Sequence, residues 1–313
     1  MCPTQTLGEV RRRRTYLKAG MLLLAFLACY SCKEKPKNTA DVYTYIKPQY
    51  TLVRLTETKD SLSFKLDDST YNIIRSFNTF VQDGNEYISF YDQRSQSISI
   101  YDFKSSVIKK RLSLKSCLGV PSFYKTTVYS RSFDSIFVTN RTMLYLLDSA
   151  GIIKKRIEFI KEQRAWAVFE NITPPIFKDN LLYVGVRPYV NETSFKALKK
   201  WKVLYAFDIA NDKKKLYYHL PELYQTEIYG ERFLDYSYCY NHHGNFVVSF
   251  WADTSIHESN LSDCHHAYYG KSKYQNDDIR PASKEQILND EGSRLYYTAD
   301  SYGPIYFDPA SRR

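Results

Sequence analysis

One phrase recurs along this chain and constrains its fold more than any other feature. Ser97-Ile-Ser-Ile-Tyr-Asp102, a short turn and Val107-Ile-Lys-Lys-Arg-Leu112 are matched by Met143-Leu-Tyr-Leu-Leu-Asp148, a turn and Ile152-Ile-Lys-Lys-Arg-Ile157. The two aspartates stand 46 residues apart. A third copy, Val203-Leu-Tyr-Ala-Phe-Asp208 followed by Lys213-Lys-Lys-Leu-Tyr217, lies 60 residues further on, the excess fitting an insertion around Tyr189 to Lys200. An apolar strand closing on Asp, a tight turn and a charged amphipathic strand describe a β-hairpin whose turn the aspartate caps. Hairpins repeated every ~40–50 residues, several strands to a repeat, are the mark of β-propeller blades. A lone four-stranded blade cannot bury both faces, so repetition is a physical need. An antiparallel sandwich is the alternative, and the shared Asp-turn-Ile-Lys-Lys-Arg wording argues against it. Composition agrees with an all-β chain: Tyr (29) and Phe (18) abound and Met (3) is scarce.

Further strands are expected at Glu86–Tyr91, Ser97–Tyr101 and Val107–Leu114, parted by turn residues such as Asp83-Gly-Asn85. One more unit is expected over about Tyr236 to Tyr274, and a weak echo at Pro304-Ile-Tyr-Phe-Asp308 suggests a partial unit at the end. With strands from Tyr50 onward this makes about five units. A chain ending at Arg313 is then expected to be an incomplete propeller with its ring open.

The N-terminus carries a different signal. Arg11 to Arg14 and Lys18 precede the uncharged run Ala19 to Ala28, which closes on Cys29-Tyr-Ser-Cys32. A basic segment, a short apolar segment and a small residue before the cut make a secretory signal. The run is too short for a bilayer span, which takes about 20 apolar residues. Cys32 after the small Ser31 resembles a bacterial lipobox, with Cys29 and Tyr30 departing from its usual Leu and small residue. The expected organisation is a lipoprotein signal over 1–31, lipidation at Cys32, a polar tether over 32–49 and the propeller over 50–313. A soluble secreted protein cut near Ala28 is the alternative. Lys33-Glu-Lys35 lacks an acidic run, favouring the periplasmic side of the outer membrane over the surface.

Removing residues 1–31 lowers the basic count from 44 to 39 and the acidic from 34 to 33, so net charge falls from +10 to +6. The remaining Lys-Lys pairs flank apolar residues and suit solvent-facing strands. A nucleic-acid footprint would need a concentrated basic face, and no nucleic-acid partner is expected. Cys117, Cys239 and Cys264 are too few and too scattered for a disulfide framework; Cys239 and Cys264 pair or stay as buried thiols.

Five of the six histidines fall between His242 and His266: His242, His243, His257, His265 and His266, with Cys264 among them. Imidazole and thiol are metal ligands, but no finger or helical i, i+4 spacing appears. The histidines suit surface turns, so no metal site and no cofactor are expected. Asp102, Asp148 and Asp208 could serve glycoside hydrolysis, yet catalytic acids break repeat symmetry whereas these recur. No hydrolase, phosphate-loop or zinc-protease motif occurs, and no catalytic residue is assigned.

His219-Leu-Pro-Glu-Leu-Tyr224, Asn241-His-His-Gly-Asn-Phe-Val-Val-Ser-Phe250, Gly270-Lys-Ser-Lys-Tyr274 and Tyr306-Phe-Asp-Pro309 resemble the Bacteroidetes lipoproteins grouped as domain of unknown function 4221. The resemblance runs from about Tyr50 to the end and implies a six-bladed, TolB-like propeller. Together these readings predict a lipid-anchored binding or scaffolding module with a protein or glycan partner at the channel face; the alternative is a propeller hydrolase or lyase acting on glycans.

Overall fold

The computed structural model describes residues 61–307, apart from 67, 69, 71–73, 119–124, 162, 164, 189–192, 263–264, 271–278, 290 and 300. The signal over 1–31, Cys32, the tether, Tyr50, Cys264 and Asp308 to Arg313 lie outside the described residues.

Four antiparallel sheets follow one another along the chain, giving a propeller-like fold. The first blade holds β1 (Ile74–Gln82), β2 (Asn85–Asp92), β3 (Ser97–Asp102) and β4 (Ile108–Ser113), in that order. After a short helix, α1 (Leu114–Leu118), come β5 (Thr127–Ser132), β6 (Ser135–Thr139), β7 (Met143–Leu147) and β8 (Ile153–Glu158), which form the second blade. The third has an interrupted first strand: β9 (Ala165–Val168) and β10 (Ile176–Lys178) both pair with β11 (Leu181–Pro188). Helix α2 (Phe195–Leu198), within the sequence insertion, leads to β12 (Lys202–Asp208) and β13 (Lys213–His219). Helix α3 (Glu222–Thr226) and a 3-10 turn precede the fourth blade, β14 (Tyr236–Tyr240), β15 (Phe246–Phe250), β16 (Ser255–Ser259) and β17 (His265–Tyr269).

The C-terminal part departs from expectation. Residues 284–298 carry α4 (Lys284–Leu288) and α5 (Glu291–Thr298), and 301–307 form no strand. Ser283 and Gln286 supply a full capping box for α4. The following stretch lies along the fourth blade, Tyr302 N–H donating to Trp251 O and Ile305 N–H to Ser237 Oγ at 2.6 Å. The echo of the hairpin phrase at Pro304 is therefore no strand: an apolar pair before Asp matches the wording but lacks a partner strand. The N-terminal strand that is described, β1, completes the Asp102 blade and starts no unit of its own. The described residues thus hold four sheets where about five units were expected.

Turn chemistry sets the registers. Asp83 and Gly84 have φ of 52° and 74°, and Asp179 and Asn180 have 51° and 62°. Two successive left-handed residues are what a two-residue hairpin needs to match strand twist. Gly151 closes the β7–β8 turn at φ 82°, where a Cβ would collide with Cys117 Sγ.

Aromatic rings fill the interior. Tyr205, Phe207, Phe250 and Tyr236 are buried, with Tyr205 and Phe207 stacked at 5.0 Å. Polar contacts tie blade to blade. Tyr236 Oη accepts from Val186 N–H at 2.6 Å and also meets Val203 O. The buried Arg187 ion-pairs with Glu170 at 2.7 Å and Asp235 at 3.4 Å. Burial opposes the charge on Arg187, but Glu170, Tyr236 and Asp235 overcome it and hold the guanidinium protonated.

Candidate functional site: a cleft between the second and third blades

Adjacent strands run in opposite directions, so the turns after the first and third strands of every blade emerge on the same face. On this face a cleft of about 1020 Å³ opens between the second and third blades. Its floor is apolar, made by Phe137, Leu146, Phe177 and Leu182. Its walls come from the β5–β6, β10–β11 and β12–β13 turns and the start of β8.

Four cations line it: Arg131, Lys154, Lys155 and Lys178. The Arg131 guanidinium lies 4.2 Å from the centroid of the Phe177 ring, a cation–π contact that aligns it along the floor. Lys178 Nζ donates to Gly244 O at 3.1 Å, reaching from the third blade to the β14–β15 turn. Lys154 Nζ donates to Asp134 O at 3.1 Å, and Lys155 pairs with Asp212 at 3.0 Å. Two carboxylates, Asp179 and Asp208, share the lining. Asp208 faces inward to its own turn, accepting from Asn211 N–H at 3.1 Å and Asn211 Nδ2 at 2.8 Å, and these bonds hold its carboxyl below the usual range. The cleft is therefore cationic over an apolar floor.

The repeated aspartates are turn caps. Asp102 Oδ1 accepts from Ser105 N–H and Oγ–H, both at 2.7 Å, which lowers its pKa. Asp148 Oδ1 accepts from the N–H groups of Ala150 and Ile152, both at 2.9 Å. Neither converges with Asp208 on a shared point.

The histidines correct the sequence expectation. His242 and His243 do occupy the β14–β15 turn, their rings 3.8 Å apart. His257, however, is a buried residue of β16, and His265 and His266 belong to β17. Ser259 closes β16, and β17 begins at His265 itself. Cys239 is a free buried thiol pushed up to about 11 by burial.

The cationic set was missed in sequence because its members are scattered. Lys154 and Lys155 read as a solvent-facing strand, and nothing local links Arg131 to Phe177. The usable signal was turn phase: every lining turn follows the first or third strand of its blade.

The chain matches the family model described as "Domain of unknown function (DUF4221)" over residues 53–313. None of the curated proteins matches it. Among solved structures it is similar to a DUF4221 family member from Bacteroides vulgatus ATCC 8482, with 19% identity and a TM-score of 0.58, over 73% of this chain and 66% of that one. It is also similar to a streptogramin B lyase, with 11% identity and a TM-score of 0.39, over 64% and 57% of the two chains. The WD40 domain of Neurospora crassa Pan2 follows at 13% identity and 0.37, over 64% and 54%. The chain spans about two thirds or less of each of these structures. The first likeness shows the fold.

Proposed function

The chain belongs to the DUF4221 family, and on that premise we propose that it is a lipid-anchored binding module of the bacterial cell envelope whose cleft between the second and third blades takes an acidic glycan. The observation that carries this is the gathering of four wall cations over an apolar floor. Carboxylate or sulfate groups of an acidic glycan pair with Arg and Lys, and the apolar faces of its sugar rings suit an apolar floor. A ligand site is commonly a concave, partly apolar recess with a few placed polar groups, and turns on a rigid scaffold supply them here. Cys32 behind its apolar run supports a lipid anchor, and the lack of an acidic run in Lys33-Glu34-Lys35 after it supports the periplasmic side of the outer membrane. The glycan-hydrolase alternative gains no observation, since each recurring aspartate is bonded within its own turn.

Calorimetric titration tests this with a galacturonate hexamer against neutral maltohexaose. The acidic oligomer should bind with an affinity that falls as salt rises, and maltohexaose should not. Equal binding of the two, or binding of neither, contradicts the proposal.

A further inference from the structure

The outer two strands of the fourth blade hold a second group of chemistry-bearing side chains. His257 on β16 opposes Ala267 on β17, so His265, two residues before Ala267, is its diagonal neighbour on the same face. Across the blade boundary Tyr218 of β13 meets them. His257 Nδ1 and His265 Nε2 are 3.3 Å apart, and Tyr218 Oη lies 3.2 Å from the same His265 nitrogen. Atoms from two neighbouring strands therefore meet the same His265 nitrogen.

The orientation of His257 is fixed from behind. Its Nε2 is 2.8 Å from Asp253 Oδ2, and the other oxygen of that carboxylate accepts from Ser255 N–H at 2.8 Å. A carboxylate accepts, so the imidazole proton sits on Nε2 and Nδ1 presents its lone pair toward His265. A carboxylate behind a histidine in this way is how metal-binding imidazoles are commonly held. Phe250 lies beneath, edge-on to His257 at 5.9 Å and parallel to Tyr218 at 6.4 Å, giving the group a dry floor. Tyr218 holds a φ of 61°, a left-handed backbone that is uncommon for an aromatic residue within a strand. His265 is exposed, which leaves an approach from solvent.

The spacing is what an ion needs. Zinc–nitrogen bonds of about 2.0–2.1 Å at a tetrahedral angle place two ligand nitrogens about 3.3–3.4 Å apart. We propose that His257 Nδ1 and His265 Nε2, with Tyr218 Oη as third donor, bind a divalent late transition ion, zinc or copper, with Asp253 as the positioning residue. Imidazole suits both ions. Each imidazole binds an ion through an unprotonated nitrogen. Among the described residues no three of His, Cys, Asp and Glu gather at one point. The site is thus two imidazoles and a phenol.

The test is competition titration of the full, chelator-stripped chain with zinc against a chromophoric chelator, repeated with cobalt for its coordination-sensitive absorption. One ion per chain is expected. His265→Gln, an exposed change that spares the fold, should weaken binding at least tenfold, and Tyr218→Phe several-fold. Asp253→Asn should weaken it about 10–100-fold with the ion still bound by the same ligands. The double change His242→Gln with His243→Gln should leave affinity unchanged. Trace occupancy, an unchanged affinity in His265→Gln, or loss in the His242 and His243 variant, which would mark an adventitious ion only, each overturns the proposal.

Discussion

Asn78 on β1 binds both backbone groups of Ser130 on β5. Its Nδ2 donates to Ser130 O at 2.7 Å, and its Oδ1 accepts from Ser130 N–H at 3.0 Å. One side chain thus does across the boundary of the first two blades what a neighbouring strand does within a sheet. Ser89 Oγ and Ser130 Oγ add a bond at 2.7 Å beside it. Ser130 is fully buried, so water does not replace what Asn78 supplies. Asn78→Ala should lower unfolding free energy by about 2–3 kcal/mol, the cost of leaving buried donor and acceptor unmet. Chemical denaturation checks this, and a change within ±0.5 kcal/mol would show that the contact contributes nothing.

Tyr236 plays the corresponding part between the third and fourth blades. Its hydroxyl accepts from Val186 N–H and is pushed up to about 12 by burial. Tyr236→Phe keeps the ring and orphans that N–H, so a loss of about 1–3 kcal/mol is expected in the same assay. The Arg187 guanidinium, 4.7 Å over the Tyr236 ring, should stay in place, so Phe at this position should not unfold the blade.

Glu258 links acid sensitivity to the fourth blade. Burial works against its charge, but its carboxylate accepts from Asn245 Nδ2 at 2.8 Å, Asn241 Nδ2 at 2.7 Å and Tyr268 Oη at 2.9 Å, and the balance holds its pKa below the ordinary 4.5. A depressed folded-state pKa stabilises the fold above the unfolded value and loses that contribution as pH falls through the folded one. The melting temperature of wild type should therefore exceed that of Glu258→Gln at pH 7, and the gap should shrink as pH drops below about 4.5. A gap that is constant from pH 7 to pH 3 would contradict the assignment.

Lipidation is expected at Cys32. Metabolic labelling with a fatty acid should mark the wild-type chain and leave Cys32→Ser unlabelled. Equal labelling of both would remove the anchor from the account.

Much of this fold is written locally. The hairpins at Asp102, Asp148 and Asp208 appear where alternation and turn residues place them, because a strand, its cap and its return are set by neighbours in sequence. What escaped is long-range. The Pro304 echo carries the hairpin wording, but a strand exists only when a partner lies beside it, and here the backbone bonds to Trp251 and Ser237 instead. His257 reads as one polar residue among many until the β16–β17 register puts it against His265 and Asp253 behind it. Lys154, Lys178 and Arg131 look like ordinary surface cations, and only the meeting of two blades makes them walls of one cleft.

The central claim is that this cleft is where a ligand binds. Hydrogen–deuterium exchange of the full chain, with and without a saturating galacturonate hexamer, tests it most directly. Protection is predicted at the β5–β6 turn around Arg131, at Phe177 to Leu182 and at Asp208 to Asp212, and it should vanish in Arg131→Gln with Lys178→Gln. Protection confined to the opposite face, around Phe250 to His257, or unchanged protection in that double variant, would contradict the account.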